Sequence, residues 1–290
     1  AQVLNNMATV ARARGDLARS LELHLRALSI WEHAAGPFQD ATLVSVGNIA
    51  RTYAAAGDVS NAVVYQQRAD AILEKQLALN LAIGSERQKL LFVNGVRERT
   101  DRTISLHLRE APDNADAARL AALVLLQRKG RVQDAMSDTL AAVRRTSDPH
   151  NQELVEQLKT TTAELARLAL NAANPTLADQ RRLAIQSLEI RKEKFEAELA
   201  ERSAEFRADS RAVTLDAVQA AIPDGAALLE LAVFRPFDPR AERNAEAYGA
   251  AHYAAYVIGK ELAPRGFDLG PAAPIDEAVD ALRAALRDPR

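Results

Sequence analysis

The chain contains no cysteine. That excludes disulfides, thiolate zinc sites and a cysteine nucleophile within these 290 residues. It also suits a cytoplasmic protein. Aromatic residues make up only 4%, which fits alanine- and leucine-rich helical packing better than a large β core. No apolar run approaches the roughly 18 residues that a bilayer-spanning helix needs, and no signal-peptide pattern occurs, so no membrane partner is expected. The formal charge is −2, which leaves no broad positive field for nucleic acid. No dinucleotide or Walker glycine spacing is found around Gly266 and Gly270. Ser187 and Ser210 lack the context of a nucleophile elbow. The histidines His24, His33, His107, His150 and His252 show no short metal-ligand spacing. They read as structural residues, His252 included, although it lies beside a predicted strand. No catalytic residue, cofactor or metal is therefore expected here. The chain opens on Ala1, as a fragment would.

What is present is an internal repeat. Leu4–Glu32 lines up with Val46–Glu74: Asn6 falls on Asn48, Ala8 on Ala50, Gly15 on Gly57, Asp16 on Asp58, Arg26 on Arg68 and Glu32 on Glu74. A fixed period of this size, with Gly-Asp between two helical patterns, is the mark of stacked helix pairs. The glycine suits a left-handed C-cap and the aspartate an N-cap. Ser85 with Gln88 forms a capping-box pattern. Gly130 precedes Ala135 as Gly57 precedes Ala62, so Asp116–Arg145 reads as a degenerate unit.

Further on, Leu154, Leu158, Thr161, Leu165 and Leu168 make one stripe, and Ile185, Leu188, Phe195, Leu199 and Phe206 a second, across Asn174-Pro175. The near-3.5 period predicts an antiparallel coiled-coil hairpin, with Lys192 and Arg202 as polar intrusions in its seam. After Thr214 proline and aromatic residues become frequent. Leu228–Phe234, Tyr253–Ile258 and Gly266–Leu269 read as strands and Ile275–Arg287 as an amphipathic helix. This is the opening of an α/β unit, too little to close a core alone.

The opening stretch, 1–80, resembles tetratricopeptide repeats of the long kind found in kinesin light chains and bacterial scaffolds. Further phrases carry a second resemblance. They are Leu79-Asn80-Leu81-Ala82-Ile83-Gly84-Ser85-Glu86-Arg87-Gln88-Lys89, Thr100-Asp101-Arg102-Thr103-Ile104-Ser105, Arg128-Lys129-Gly130-Arg131-Val132, Phe234-Arg235-Pro236-Phe237-Asp238-Pro239, Tyr253-Ala254-Ala255-Tyr256-Val257, and Asp268-Leu269-Gly270 with Ala273-Pro274-Ile275-Asp276. Together they are similar to bacterial tetratricopeptide proteins that end in a CHAT domain, a caspase-like peptidase domain. The resemblance implies a catalytic histidine and cysteine beyond Arg290, so no catalytic residue carries over.

The expected fold is mainly α: tetratricopeptide hairpins over 1–84, a degenerate helical continuation over 85–148, a coiled-coil spacer over 149–212, and the beginning of a caspase-like α/β domain over 213–290. The expected function is a protein-binding, regulatory segment of a CHAT-type peptidase, with no enzyme activity of its own. A stand-alone tetratricopeptide interaction protein is the rival reading. Asn6 and Asn48 recur on the first helix of each pair and Arg51 lies one turn on, so these three are the candidate peptide-binding groove. The asparagines equally suit bonds between neighbouring helices.

Overall fold

A computed structural model describes residues 1–82, 85–130, 148–170, 178–203 and 213–287. Helices α1 (Gln2–Ala13), α2 (Leu17–Ala34), α3 (Asp40–Ala55) and α4 (Val59–Ala82) form the two repeats. Their turns repeat as the sequence does. Gly15 and Gly57 have φ of +81° and +77°, a region open to glycine at little cost. Asp16 Oδ1 accepts from Arg19 N at 3.0 Å and Asp58 Oδ1 from Asn61 N at 3.1 Å, each satisfying one orphan donor of the following helix. Ala8, Ala27, Ala50, Ala62 and Ala69 are buried, so helices can approach without large side chains between them.

The chain continues as α5 (Glu86–Gly95), α6 (Arg97–Ser105), a single π turn (Leu106–Glu110), α7 (Ala115–Arg128), α8 (Pro149–Leu170), α9 (Ala178–Ser203) and the short α10 (Leu215–Ala221). Strands β1 (Ala227–Phe234), β2 (His252–Gly259) and β3 (Arg265–Pro271) then precede α11 (Ala272–Arg287). The sequence suggests four consecutive segments; the structure groups them differently. One compact unit holds Ala1–Lys75, Val96–Lys129 and Val213–Arg290; the other holds Gln76–Gly95 and Gly130–Ala212.

In the first unit the three strands form one antiparallel sheet in the order β1-β2-β3. Leu228 faces Ile258, Glu230 faces Tyr256 and Ala232 faces Ala254. Because strand side chains alternate, these residues share one face. Phe234, Ala254, Tyr256 and Ile258 pack there with Ile104, Ala121, Ala122, Leu215 and Ile222. The helical array thus supplies the second layer that a three-stranded sheet needs. Glu230, read in the sequence as an interruption, points into this face and receives Lys129 Nζ at 2.5 Å. His107 Nδ1 lies 2.9 Å from the Tyr256 hydroxyl. Gly266 passes so close that a Cβ there would sit 2.7 Å from both rings. The opposite face leaves Leu229, Leu231, Phe267 and Leu269 exposed.

Deeper among the helices of this unit sits a polar cluster. Thr103 Oγ1 donates to Asp70 Oδ2 at 2.7 Å and accepts from Gln66 Nε2 at 2.9 Å. Burial pushes the Asp70 carboxyl up to about 6, against the pull of Arg128 and these bonds.

In the second unit α8 and α9 run antiparallel, with the start of α8 beside the end of α9. Asn151 meets Arg202, His150 meets Glu198, and Leu154 and Leu158 pack with Leu199 and Phe195. The two polar seam residues have partners. Arg202 Nε donates to Asn151 Oδ1 at 2.6 Å, and Lys192 Nζ reaches Glu196 at 3.2 Å and Glu86 at 3.1 Å. The capping box closes as its spacing predicts: Ser85 N donates to Gln88 Oε1 at 2.9 Å and Gln88 N to Ser85 Oγ at 3.3 Å. The Asn174-Pro175 turn, Phe206 and the later half of the degenerate unit, from 131 onward, lie outside the described residues.

Candidate protein interface

The first helix of each successive pair, α1, α3 and α6, turns an arginine toward a common face: Arg12, Arg51 and Arg102. The connection between β1 and β2, Arg235–Ala251, crosses this face. It is far longer than the few residues of an ordinary hairpin loop, and its path is fixed by side-chain donors from the helices. Arg12 Nη1 donates to the carbonyl oxygens of Pro239 at 3.1 Å and Ala241 at 2.9 Å. Arg51 Nε donates to Pro239 O at 3.1 Å, its Nη2 to Ala241 O at 2.8 Å, and its Nη1 to Asn244 Oδ1. Two guanidiniums therefore hold the same two carbonyls, a fork that a lysine cannot reproduce.

Aromatic side chains complete the seat. The Phe237 ring lies between two cations, 5.0 Å from the Arg51 guanidinium carbon and 4.9 Å from that of Arg102. Arg102 Nε donates to the Tyr248 hydroxyl at 2.8 Å, and that hydroxyl donates to Glu98 O at 3.2 Å. Tyr248 packs beside Phe237 at 5.0 Å between centroids. Phe237 N donates to Ser105 Oγ at 2.9 Å. At the rim, Arg235 reaches Glu98 at 3.1 Å and Arg240 reaches Glu110 at 2.9 Å. Inside the loop, Asp238 N donates to Ala247 O and Gly249 N to Pro236 O, both at 2.8 Å.

Cations dominate the electrostatics of this face, with Asp238 acting the other way on Arg12 and Arg51. Burial and the charge of Arg12, then Arg102, bring the Arg51 guanidinium down to about 10. Burial and Arg102 lower Arg12 and Arg99 likewise. Crowded cations in a desolvated place disfavour one another. Their neutral acceptors, two carbonyls and an amide, relieve this only in part. Arg12 is 6% exposed, and its Nη2 has no hydrogen-bond partner among the described residues.

The three residues expected in a groove do not act together. Asn6 is exposed and accepts from Gln2 Nε2 at 3.1 Å. Asn48 Nδ2 donates to Asn5 Oδ1 at 3.2 Å, and the same oxygen lies 2.8 Å from His24 Nδ1. Equivalent repeat positions thus have different partners: Asn48 reaches Asn5 on the helix of the preceding repeat, whereas Asn6 pairs within its own helix. Arg51 is buried, with the chain's own loop as its acceptor. Sequence reasoning missed Arg12, Arg102 and the loop itself. The available signal was an arginine on each first helix, together with the proline-bracketed phrase Pro236-Phe237-Asp238-Pro239.

His252 Nδ1 is 2.8 Å from Asp268 Oδ1, and its ring meets the edge of Phe234. Among the described residues no serine or threonine hydroxyl bonds to this pair. Among the same residues no group of three or more His, Asp or Glu side chains is placed to hold a metal ion, and no helix is long and apolar enough to cross a membrane.

Residues 1–75 match the model of the Tetratricopeptide repeat family. No curated protein matches the chain. The protein is thus one that contains tetratricopeptide repeats, mostly helical with a small antiparallel sheet, and its repeats are a protein-interaction scaffold.

Proposed function

We propose that the chain is the regulatory, protein-binding portion of a cytoplasmic, CHAT-type (caspase-like) cysteine peptidase. In this reading the repeats bind a protein partner and pass that event to the α/β region. The observation that carries it is the loop between the first two strands. Arg12 and Arg51 hold its backbone, and Arg102 holds Phe237 and Tyr248. A ligand that altered the repeat face would act directly on the connection between β1 and β2. The exposed apolar face of the sheet, with Leu229, Leu231 and Phe267, supports the view that these strands belong to a larger layered domain. The catalytic histidine and cysteine would be supplied outside these residues, which contain no cysteine. The purified chain, Ala1–Arg290, would then be inactive as a peptidase.

Reading the native gene past the codon for Arg290 and assaying its product tests the proposal. A continuation with a histidine and a cysteine, each after a hydrophobic strand pattern, and peptidase activity altered by Arg51→Gln are the expected results. A product without the cysteine would sink the peptidase reading and leave the rival, a tetratricopeptide interaction protein capped by a small sheet.

A further inference from the structure

The arginine face holds a neutral guest. Between Arg235 and Ala251 the loop has three arginines (Arg235, Arg240, Arg243) and three acids (Asp238, Glu242, Glu246), so it brings no net charge. None of those carboxylates bonds to Arg12, Arg51 or Arg102. Asp238 is turned to Arg240 N at 2.8 Å, and Glu246 pairs with Arg243. Arg12, Arg51 and Arg102 donate to carbonyls, an amide and a hydroxyl and lie against ring faces, and the charge of Asp238 reaches Arg12 and Arg51 without a hydrogen bond. A small cavity remains, lined by Arg51, Gln66, Arg102, Glu110, Phe237 and Pro239. Arg12 Nη2 is buried and, among the described residues, without a hydrogen-bond partner, a cost normally met by pairing. Such a face is undersupplied with negative charge.

We propose that this face is the recognition surface for a partner segment that carries an aromatic side chain and, at the place of Ala241 relative to Phe237, a carboxylate, and that the Pro236–Tyr248 loop is its resident, weaker stand-in. The aromatic group takes the Phe237 slot between Arg51 and Arg102. The carboxylate takes the place of the Pro239 and Ala241 carbonyls. There it can accept from Arg12 and Arg51 in charge-assisted, forked geometry, roughly twice as strong as the neutral bonds it replaces. The rim sets a second requirement. Displacing the loop removes Arg235 from Glu98 and Asp101 and Arg240 from Glu110. A uniformly acidic segment would leave those acids facing like charge, so the partner carries basic residues on either side of its carboxylate. This names the partner class for the protein-binding part of the function proposed above and rests on that part, not on the peptidase part.

The test uses the intact chain and two labelled peptides that copy residues 235–248, one native and one with Ala241→Glu. Fluorescence anisotropy reports binding, and amide exchange read by mass spectrometry reports release of the chain's own loop, whose Phe237, Asp238 and Gly249 amides are bonded in the resting state. The acidic peptide is expected to bind at least tenfold more tightly than the native one and to speed exchange across 236–249 at saturation. Removing the competitor's anchor by Phe237→Ala in the chain should tighten capture of the acidic peptide at least tenfold, and Arg51→Gln should weaken it. Equal binding of the two peptides, binding without faster loop exchange, or no binding at about 1 mM peptide would each overturn the proposal. The wild-type exchange experiment decides the matter even where a variant does not fold. Peptidase activity of the longer product is a separate readout, so the two readings can fail independently.

Discussion

His24 offers a sharp test of how the repeats are held together. It sits on α2, 1% exposed, with Nδ1 2.8 Å from Asn5 Oδ1. That oxygen also takes Asn48 Nδ2 and can only accept, so the imidazole carries a proton on Nδ1. Burial, then the charge of Arg12, holds the ring down at about 4 instead of 6.5. The folded state therefore resists a proton that the unfolded state accepts. Stability from this residue is intact above about pH 6.5 and is lost as pH falls toward 4. A tenfold difference in proton affinity is worth about 1.4 kcal/mol, so the loss is roughly 2 kcal/mol by pH 5 and roughly 3 kcal/mol in full. His24→Gln keeps a donor for Asn5 but cannot titrate. Urea unfolding of both proteins at pH 7.5 and 5.0 isolates the residue, because every other titrating group is common to both. The variant will be the less stable at pH 7.5, and the gap will move about 2 kcal/mol in its favour at pH 5.0. A gap that changes by less than about 0.5 kcal/mol between the two pH values, the scatter expected of unrelated effects, would refute the burial argument.

Other groups give independent checks. Gly266→Ala places a methyl group 2.7 Å from the His107 and Tyr256 rings and strains their hydrogen bond. It should cost about 3 kcal/mol by overpacking and lost pairing, and calorimetry would show a lowered transition; an unchanged one would mean that β3 moves away freely. Asp70→Asn should become progressively more favourable relative to wild type as pH rises from 3.8 through about 6, since over that range the unfolded acid has lost its proton while the folded acid is giving up the neutral form that burial favours. A pH-independent difference between the two would contradict this. Leu199→Ala removes a side chain only 1% exposed from the α8–α9 contact and should cost about 2–5 kcal/mol, read by helical circular dichroism during urea unfolding. A cost below about 1 kcal/mol would show that the hairpin seam is loosely packed.

The parts of this fold that were legible in the sequence are those governed by local chemistry. Gly15 and Gly57 had to be left-handed, Asp16 and Asp58 had an N–H three residues on to accept, and Ser85 and Gln88 had only each other within reach. The apolar runs Leu228–Phe234 and Tyr253–Ile258 and the short Gly266–Leu269 likewise disclosed the three strands. What was not legible depends on meetings between residues far apart in the chain. The repeat equates Asn6 with Asn48, yet a repeat position acquires its role from the side chains that neighbouring helices bring to it: Asn48 meets Asn5 and Asn6 meets Gln2. Arg51 was identified as a groove residue from its place on α3, but nothing local says that its acceptor lies 188 positions away, at Pro239. Lys192 and Arg202 look like faults in a seam until Glu86, Glu196 and Asn151 are brought beside them.

The same reasoning explains why Arg12 went unseen. A lone arginine at the end of a surface helix is ordinarily solvated. It becomes a site only when Arg51 and Arg102 are stacked beside it and a loop excludes water from all three. A cation cluster of that kind destabilises the bare repeats, and a cover stabilises it. The cover here contributes carbonyls and rings to the three guanidiniums, and of negative charge only that of Asp238, which acts on Arg12 and Arg51 without bonding to them. The fold is therefore stable with its own loop in place and retains unsatisfied capacity for an acid. That combination, a seat occupied by a neutral segment of the same chain, distinguishes a displaceable contact from a permanent one. A permanent clamp evolved only for rigidity would be expected to hydrogen-bond Asp238 or Glu242 to the arginines, and neither carboxylate makes such a bond.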